Sequence, residues 1–363
     1  VVERRFVLTT HKRQKYRCAC NAAILTAPGP LKLIEGGRYS LDFAVEVAVQ
    51  KYSEHLPLDR QVRQMRRQGL LVTSQTLWDQ IYALAQVLQP AHEALRAHVL
   101  SAPLVHADET TWKLLDQKPS KTWYVWGLHS GAGTYYQLRP SRGTQALKEL
   151  LGAYEGILMC DGYAVYQALA RGSPGLTLVF CWAHVRRKFH EARAAYPTCE
   201  QALDRIGELY QVERKLPEYA QLPPSEQAHA LQLRRQLREQ ESAPLLEQLQ
   251  QWTQQQVCLP QSSLRRAIEY MQALWPGLCR FLQDGRIPLD NNAMERDLRG
   301  VCVGRKNHYG SRSERGTEVA ARLYSLIETA RGLGLNEQDY LRRAAQHALR
   351  NPGGWLLPHQ LLV

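Results

Sequence analysis

The chain of 363 residues carries 46 Lys and Arg against 34 Asp and Glu, a formal charge of +12 and a pI near 9.4. That excess favours a polyanionic partner, nucleic acid first. No run approaches the roughly 18 apolar residues of a membrane span and no signal-peptide pattern opens the chain, which points to a cytoplasmic protein with no membrane partner. The eight cysteines are scattered through the chain and read as reduced thiols rather than a disulfide framework.

Residues 1–40 hold a basic, strand-prone stretch, then "CAC", then the linker-like "TAPGPLKLIEGG". The first residue is Val1 and the opening reads as the middle of something, a fragment or the product of an unusual start codon. Over 41–100 the pattern turns helical, with three helices expected in "LDFAVEVAVQKYSEH", "PLDRQVRQMRRQG" and "SQTLWDQIYALAQVL", the third capped by Ser74 and set off from the second by Gly69. This is either a helix-turn-helix DNA reader or an ordinary three-helix packing unit. From 101 to 199 the order reads β, β, β, α, β, α, β, α, which predicts an α/β fold with a mixed sheet and flanking helices. Residues 200–285 are rich in Gln, Leu, Glu and Arg and read as a helical insertion whose polar residues form a solvated face. The α/β region resumes over 286–335 with a long helix, and 336–363 form a helical tail.

Asp108 is expected at the end of the first strand of the sheet and Asp161 at the end of the fourth. If those strands are neighbours, the two carboxylates share an edge and need a cation to offset their repulsion. Both also have structural readings, Asp108 as a strand-end turn residue with Glu109 beside it as a rival, and Asp161 in the turn dipeptide "DG". In "DNNAMERDLR" (290–299), Asn292 reads as an N-cap with Glu295 at the third helical position in a capping box, and Glu295 and Arg299 are spaced i,i+4. The alternative makes Glu295 a third active-site carboxylate, with Glu314 and Glu318 as rivals. Magnesium takes oxygen ligands, and a two-ion site would stabilise the attacking and leaving oxygens of a phosphoryl displacement. Cys181 and His184 form a C-x-x-H pair with no second pair following, so zinc is not expected there. Arg186, Arg187, Lys188, Arg296, Arg299, Arg305 and Lys306 read as phosphate contacts or as solvated helix faces.

The strings "HADET", "CDGYAVY", "CWAHVRRKF" and "DNNAMERDLRGVCVGRKN", in this order, resemble transposases of the insertion-sequence-66 family over residues 15 to 350. The resemblance implies a ribonuclease H-like core with a catalytic, metal-holding triad at Asp108, Asp161 and Glu295, and two Mg2+ ions for which Mn2+ can substitute. It implies DNA as partner, at element ends and at the target, a homo-oligomer on DNA, accessory element-encoded proteins and a bacterial, nucleoid-associated location. Cys181, His184, Asn291 and Asn292 would be structural or DNA-positioning residues beside the site. The family's amino-terminal zinc module has two C-x-x-C pairs, whereas Cys18 and Cys20 are spaced C-x-C, so that module is expected to be truncated or degenerate. The alternatives are an inactive DNA-binding relic and a metal-dependent nuclease that cuts without joining.

Overall fold

A computed structural model describes residues 5–116, 120–216, 219 and 222–362. The first four residues of the amino-terminal region, residues 217, 218, 220 and 221 of the helical insertion, and residue 363 of the tail lie outside the described residues. The chain divides into two compact units, one of Val1–Ala97, Trp112–Thr122 and Arg299–Val363, the other of His98–Thr111 and Trp123–Leu298. Among the described residues no helix is long and apolar enough to cross a membrane.

The first unit opens with an exposed hairpin of β1 (Lys15–Arg17) and β2 (Ile24–Thr26). Cys18 and Cys20 are exposed free thiols in its connection. Three helices follow where expected: α1 (Leu41–Tyr52), α2 (Leu58–Arg67) and α3 (Ser74–Val87). A fourth, α4 (Gln89–Leu100), follows at once and was not foreseen. Gly69 does separate α2 from α3, at φ +88°, a conformation that glycine adopts at no steric cost. The cap of α3 is Thr73 rather than Ser74: its hydroxyl accepts from the Thr76 N–H at 3.1 Å, and Ser74 is the first helical residue. The core of this unit gathers Val45 and Tyr52 of α1, Leu77 and Ile81 of α3, and residues of α13 (Glu314–Gly332) and α14 (Glu337–Arg350) such as Leu323, Tyr324 and Tyr340.

The second unit is built on a five-stranded mixed sheet ordered β5-β4-β3-β6-β7, from β3 (Leu104–Leu114), β4 (Lys121–Ser130), β5 (Gly133–Arg139), β6 (Gly156–Cys160) and β7 (Leu176–Phe180). β3, β6 and β7 run parallel, and β4 and β5 form an antiparallel pair. The connections of the parallel strands are α5 (Thr144–Leu151) and α6 (Ala164–Arg171), and α7 (Trp182–Ala192) leaves β7. Burial explains the composition of β3: Val105, His106 and Ala107 are all buried, as a central strand covered on both faces requires. The expected order of strands and helices is therefore observed, with one correction. Asp108 lies in the middle of β3, which continues to Leu114, and not at a strand end.

Between the sheet and the long helix α12 (Asn292–His308) come α8 (Cys199–Glu213), α9 (Pro224–Leu237), α10 (Ala243–Gln255) and α11 (Ser263–Leu278), with no strand among the described residues. α7 packs on α8 and α11, and α11 packs on β7. This stretch is more than a solvated arm. Arg238 is fully buried and donates to both oxygens of Glu213, at 2.6 and 2.8 Å, and to the carbonyls of Phe281, Asp284 and Ile287. All of its N–H donors are thereby used, and the segment that leads into α12 is tied to the helices before it.

Candidate active site

β3 and β6 are neighbours and parallel, with His106 opposite Met159. Continuing that register by two residues sets Asp108 level with Asp161, the residue that follows β6. Each carboxylate is aimed by its own backbone: Asp108 Oδ1 accepts from the Glu109 N–H at 2.8 Å and Asp161 Oδ1 from the Tyr163 N–H at 2.9 Å. Gly162 of the "DG" pair has no left-handed backbone to accommodate. It is needed because α11 comes close, since a Cβ there would lie 2.7 Å from Leu274 and 2.8 Å from the Tyr270 hydroxyl.

Glu295 arrives from α12, and contacts of three residues, Asn291, Met294 and Asp297, fix where that helix starts. Asn291 is fully buried; its side-chain oxygen meets His106 Nδ1 at 2.8 Å, its amide donates to the Ala107 carbonyl at 3.0 Å, and its backbone N–H donates to Cys181 Sγ at 3.2 Å. Three residues later the Met294 methyl seats so closely over Gly127 of β4 that a Cβ there would make it shift. Asp297 then accepts from Thr134 of β5 and meets His129 Nδ1 at 2.7 Å. Burial pushes the His106 imidazole down to about 4, helped by His129, so it is neutral in this network.

The expected capping box is not what forms. The Asn291 carbonyl accepts the first helical bond, from the Glu295 N–H at 3.1 Å, so Asn291 occupies the cap position and Asn292 is already helical. The Asn292 side chain turns to Asp290, whose other oxygen accepts the Asn292 N–H. Glu295 falls at the fourth helical position, one residue too late to bond back to a cap. Its carboxylate stands instead 3.6 Å from His184 Nδ1.

The carboxylates sense one another. Burial, then the neighbouring Glu109, then Asp161 and Glu295 push the Asp108 carboxyl up to about 7. Glu109, the rival at this position, is held differently: Arg142 pairs with one of its oxygens and the Tyr166 hydroxyl donates to the other at 2.8 Å. Burial lifts Glu109, but Tyr166 and Arg142 pull against that lift, so its charge already has partners. The rivals Glu314 and Glu318 are exposed members of the other unit. Burial and the nearby Arg187 hold His184 below the usual imidazole range, against Glu295 and Asp161. Cys181, buried where β7 meets α7, is pushed up to about 12 by burial.

Of the seven cations expected on phosphate, Arg186, Arg187, Lys188 and Arg296 belong to the unit that holds the three carboxylates. Arg186, Arg187 and Arg296 are exposed, and Lys188 is half-buried with Glu191 3.9 Å away. Arg299, Arg305 and Lys306 belong to the other unit, and Arg305 Nη2 lies 3.7 Å from Cys302 Sγ. Residues missed in the sequence are His106, His129, Thr134 and Asp297, drawn from three strands and a helix, and Arg142 and Tyr166, which neutralise Glu109. His106, Tyr166 and Asp297 stand in the strings "HADET", "CDGYAVY" and "DNNAMERDLR", but nothing there marked them out.

Residues 36–319 match the model of the family described as Transposase IS66 family. The chain is also similar to two uncharacterized proteins of Sinorhizobium fredii. The protein y4hP is 30% identical over 379 residues, covering 95% of this chain and 67% of the relative. The protein y4jD is 32% identical over 350 residues, covering 91% and 66%. The chain thus spans about two thirds of the length of these relatives.

Proposed function

The chain belongs to the IS66 transposase family, and from that premise we propose that it is a DNA transposase that cuts the ends of its element and joins them to target DNA. In this reading the mixed sheet and its helices are a ribonuclease H-like core, and Asp108, Asp161 and Glu295 are its catalytic carboxylates. The observation that carries the proposal is the register that sets Asp108 of β3 level with Asp161 after β6, with Glu295 brought in by the clamped start of α12. Asp108 is pushed up by burial, then by Glu109, and then by Asp161 and Glu295, and Glu109 itself is held by an arginine and a tyrosine.

A donor set of three carboxylates whose charge calls for a cation fits Mg2+, or Mn2+ in its place. Asp108 and Asp161 would hold the ions between them and Glu295 would complete the shell. When bound, two such ions stabilise charge on the attacking and leaving oxygens of an in-line displacement at phosphorus. The protein's own part is placement. Backbone amides aim the two aspartates, and the Asn291, Met294 and Asp297 contacts set the position of α12 and so of Glu295. Exposed Arg187 and Arg296, with Lys188, would hold DNA phosphates, a contribution that salt weakens. Water attacks the scissile phosphate first and frees a 3′ hydroxyl; that hydroxyl then attacks a target phosphate, displacing a target 3′ oxygen. No covalent bond to the protein is needed. The α2–Gly69–α3 segment is the candidate end-reading element, and a homo-oligomer bridging two ends, with accessory element-encoded proteins, completes the reading.

The test incubates the protein with labelled element ends, target DNA and Mg2+. Joined product is the expected result, lost in Glu295→Gln with the fold retained. Cutting without joining would mean a nuclease, and binding alone an inactive relic.

A further inference from the structure

Cys181 and His184 are not used by that chemistry, and they share a cluster with Glu295, which is. Cys181, His184 and Glu295 present a sulfur, a nitrogen and an oxygen that all lie within 4.8 Å of one another. Tetrahedral zinc, with bonds of roughly 2.0–2.3 Å, sets its ligand atoms about 3.3–3.8 Å apart, and His184 Nδ1 is already 3.6 Å from Glu295 Oε1. That nitrogen is buried and has no hydrogen-bond partner among the described residues, an arrangement that native interiors seldom tolerate without a use for the atom. The Cys181 sulfur accepts the backbone N–H of Asn291 at 3.2 Å, and the Cys181 carbonyl accepts that of His184 at 3.2 Å. An outer hydrogen bond to the sulfur is what holds and tunes a metal-bound thiolate.

Sulfur and imidazole are poor ligands for magnesium and good ones for a borderline ion. Three protein ligands leave the fourth tetrahedral position to water. We infer that Cys181, His184 and Glu295 form a binding site for a zinc-class cation, and that filling it withdraws Glu295 from Asp108 and Asp161 and so arrests DNA cleavage. On binding, the Cys181 thiol gives its proton to solvent and the sulfur lone pair bonds the cation; nothing is oxidised or reduced. The C-x-x-H pair looked incomplete in the sequence because its third ligand comes from α12, far along the chain. The inhibitory half of the inference rests on the carboxylate chemistry proposed above; the binding half does not.

The probe is Co2+, titrated into the full chain carrying Cys18→Ser and Cys20→Ser, which removes the exposed thiol pair. The expected result is one equivalent of Co2+ with tetrahedral d–d bands and a thiolate-to-cobalt charge-transfer band, displaced by Zn2+. Cys181→Ser should abolish the charge-transfer band. His184→Gln, which removes no hydrogen bond of the fold, should weaken binding by more than the roughly 10- to 100-fold that losing an outer partner costs, and it decides the matter should Cys181→Ser fail to fold. A spectrum without the sulfur band, or a band that survives Cys181→Ser, overturns the site. In the Mg2+-supported cleavage assay, Zn2+ should inhibit the protein near one equivalent and His184→Gln should resist, each rate taken against its own zinc-free value. Equal inhibition of both, or none of either, overturns the regulatory half. Sulfur-bound cobalt together with cleavage indifferent to Asp108→Asn would sink the transposase reading and leave the site standing; the reverse pair of results would sink the site alone.

Discussion

Two places in the same unit bury charge, and they do it in opposite ways. At Arg238 the cation is fully enclosed, yet Glu213 and three carbonyls use every donor it has, with the Phe281 ring 5.1 Å from the guanidinium. At the β3–β6 edge, Asp108 is brought level with Asp161 and within the field of Glu295, and the surroundings raise its carboxyl instead of stabilising its charge. A balanced buried charge fixes structure, whereas an unbalanced one is held ready for something not yet bound.

The largest effect expected from breaking this contrast is at the edge. Asp108→Asn should lower DNA cleavage by about a thousandfold or more, roughly 4 kcal/mol of barrier, while thermal unfolding stays put or moves up because a repelling carboxylate is gone. Cleavage at the wild-type rate would show that the edge is not the reaction centre. The mirror experiment is Arg238→Met, which takes from Glu213 its two-pronged partner and leaves it Arg234 at 3.6 Å, and should cost about 3–5 kcal/mol of stability in denaturant unfolding. A loss below about 1 kcal/mol would mean the two sites differ less than their contacts imply.

The contrast also has a pH signature. Because the Asp108 carboxyl is raised from its ordinary range to about 7, its contribution to stability in the cation-free protein is fully present below about pH 4 and is lost as pH rises through about 7. Mg2+ must displace the extra proton, so its affinity should fall by about tenfold per pH unit below 7. Calorimetry in buffers of different ionisation heat would count the proton released near pH 6; the count should vanish in Asp108→Asn. The smallest effect belongs to the exposed cations. Arg296→Ala should reduce the log–log salt slope of DNA binding by about 0.9 without changing unfolding, and an unchanged slope would remove Arg296 from the phosphate contacts.

How much of this could be read in advance differs from one residue to the next. Asp108, Asp161 and Glu295 stand in recognisable strings, but the strand-helix order left open whether the first and fourth strands are neighbours, which the pairing of β3 with β6 settles. Strand length misled for Asp108, because β3 continues past it to Leu114, with Trp112 and Leu114 buried and Lys113 exposed, and a chain pattern does not say where a strand stops mattering to a sheet. The cap of α12 slipped by one residue because the Asn291 side chain is taken by His106 and Ala107, which only the folded neighbours reveal. The contacts of His129 and Thr134 with Asp297 were not legible for the same reason, since no spacing links β4, β5 and α12. Arg238 was passed over because it sits in a run of Gln, Glu and Arg where nearly every residue is solvated. α4 was missed because Leu88 at the end of α3 is followed at once by Gln89–Pro90, which reads as a stop and is instead the first turn of the next helix.

The clamp at Asn291 also bears on synthesis. A nascent chain that has passed Asp161 holds two of the carboxylates, but Glu295 follows only 134 positions later (295 − 161). At about 5–20 residues per second the interval is roughly 7 to 27 s. Until then His106 has no Asn291 to bond, α12 has no fixed start, and the half-made protein carries an acidic edge that cannot assemble. The three carboxylates come together only when α12 arrives, so a broken message or a stalled ribosome yields a product that holds both aspartates and lacks Glu295.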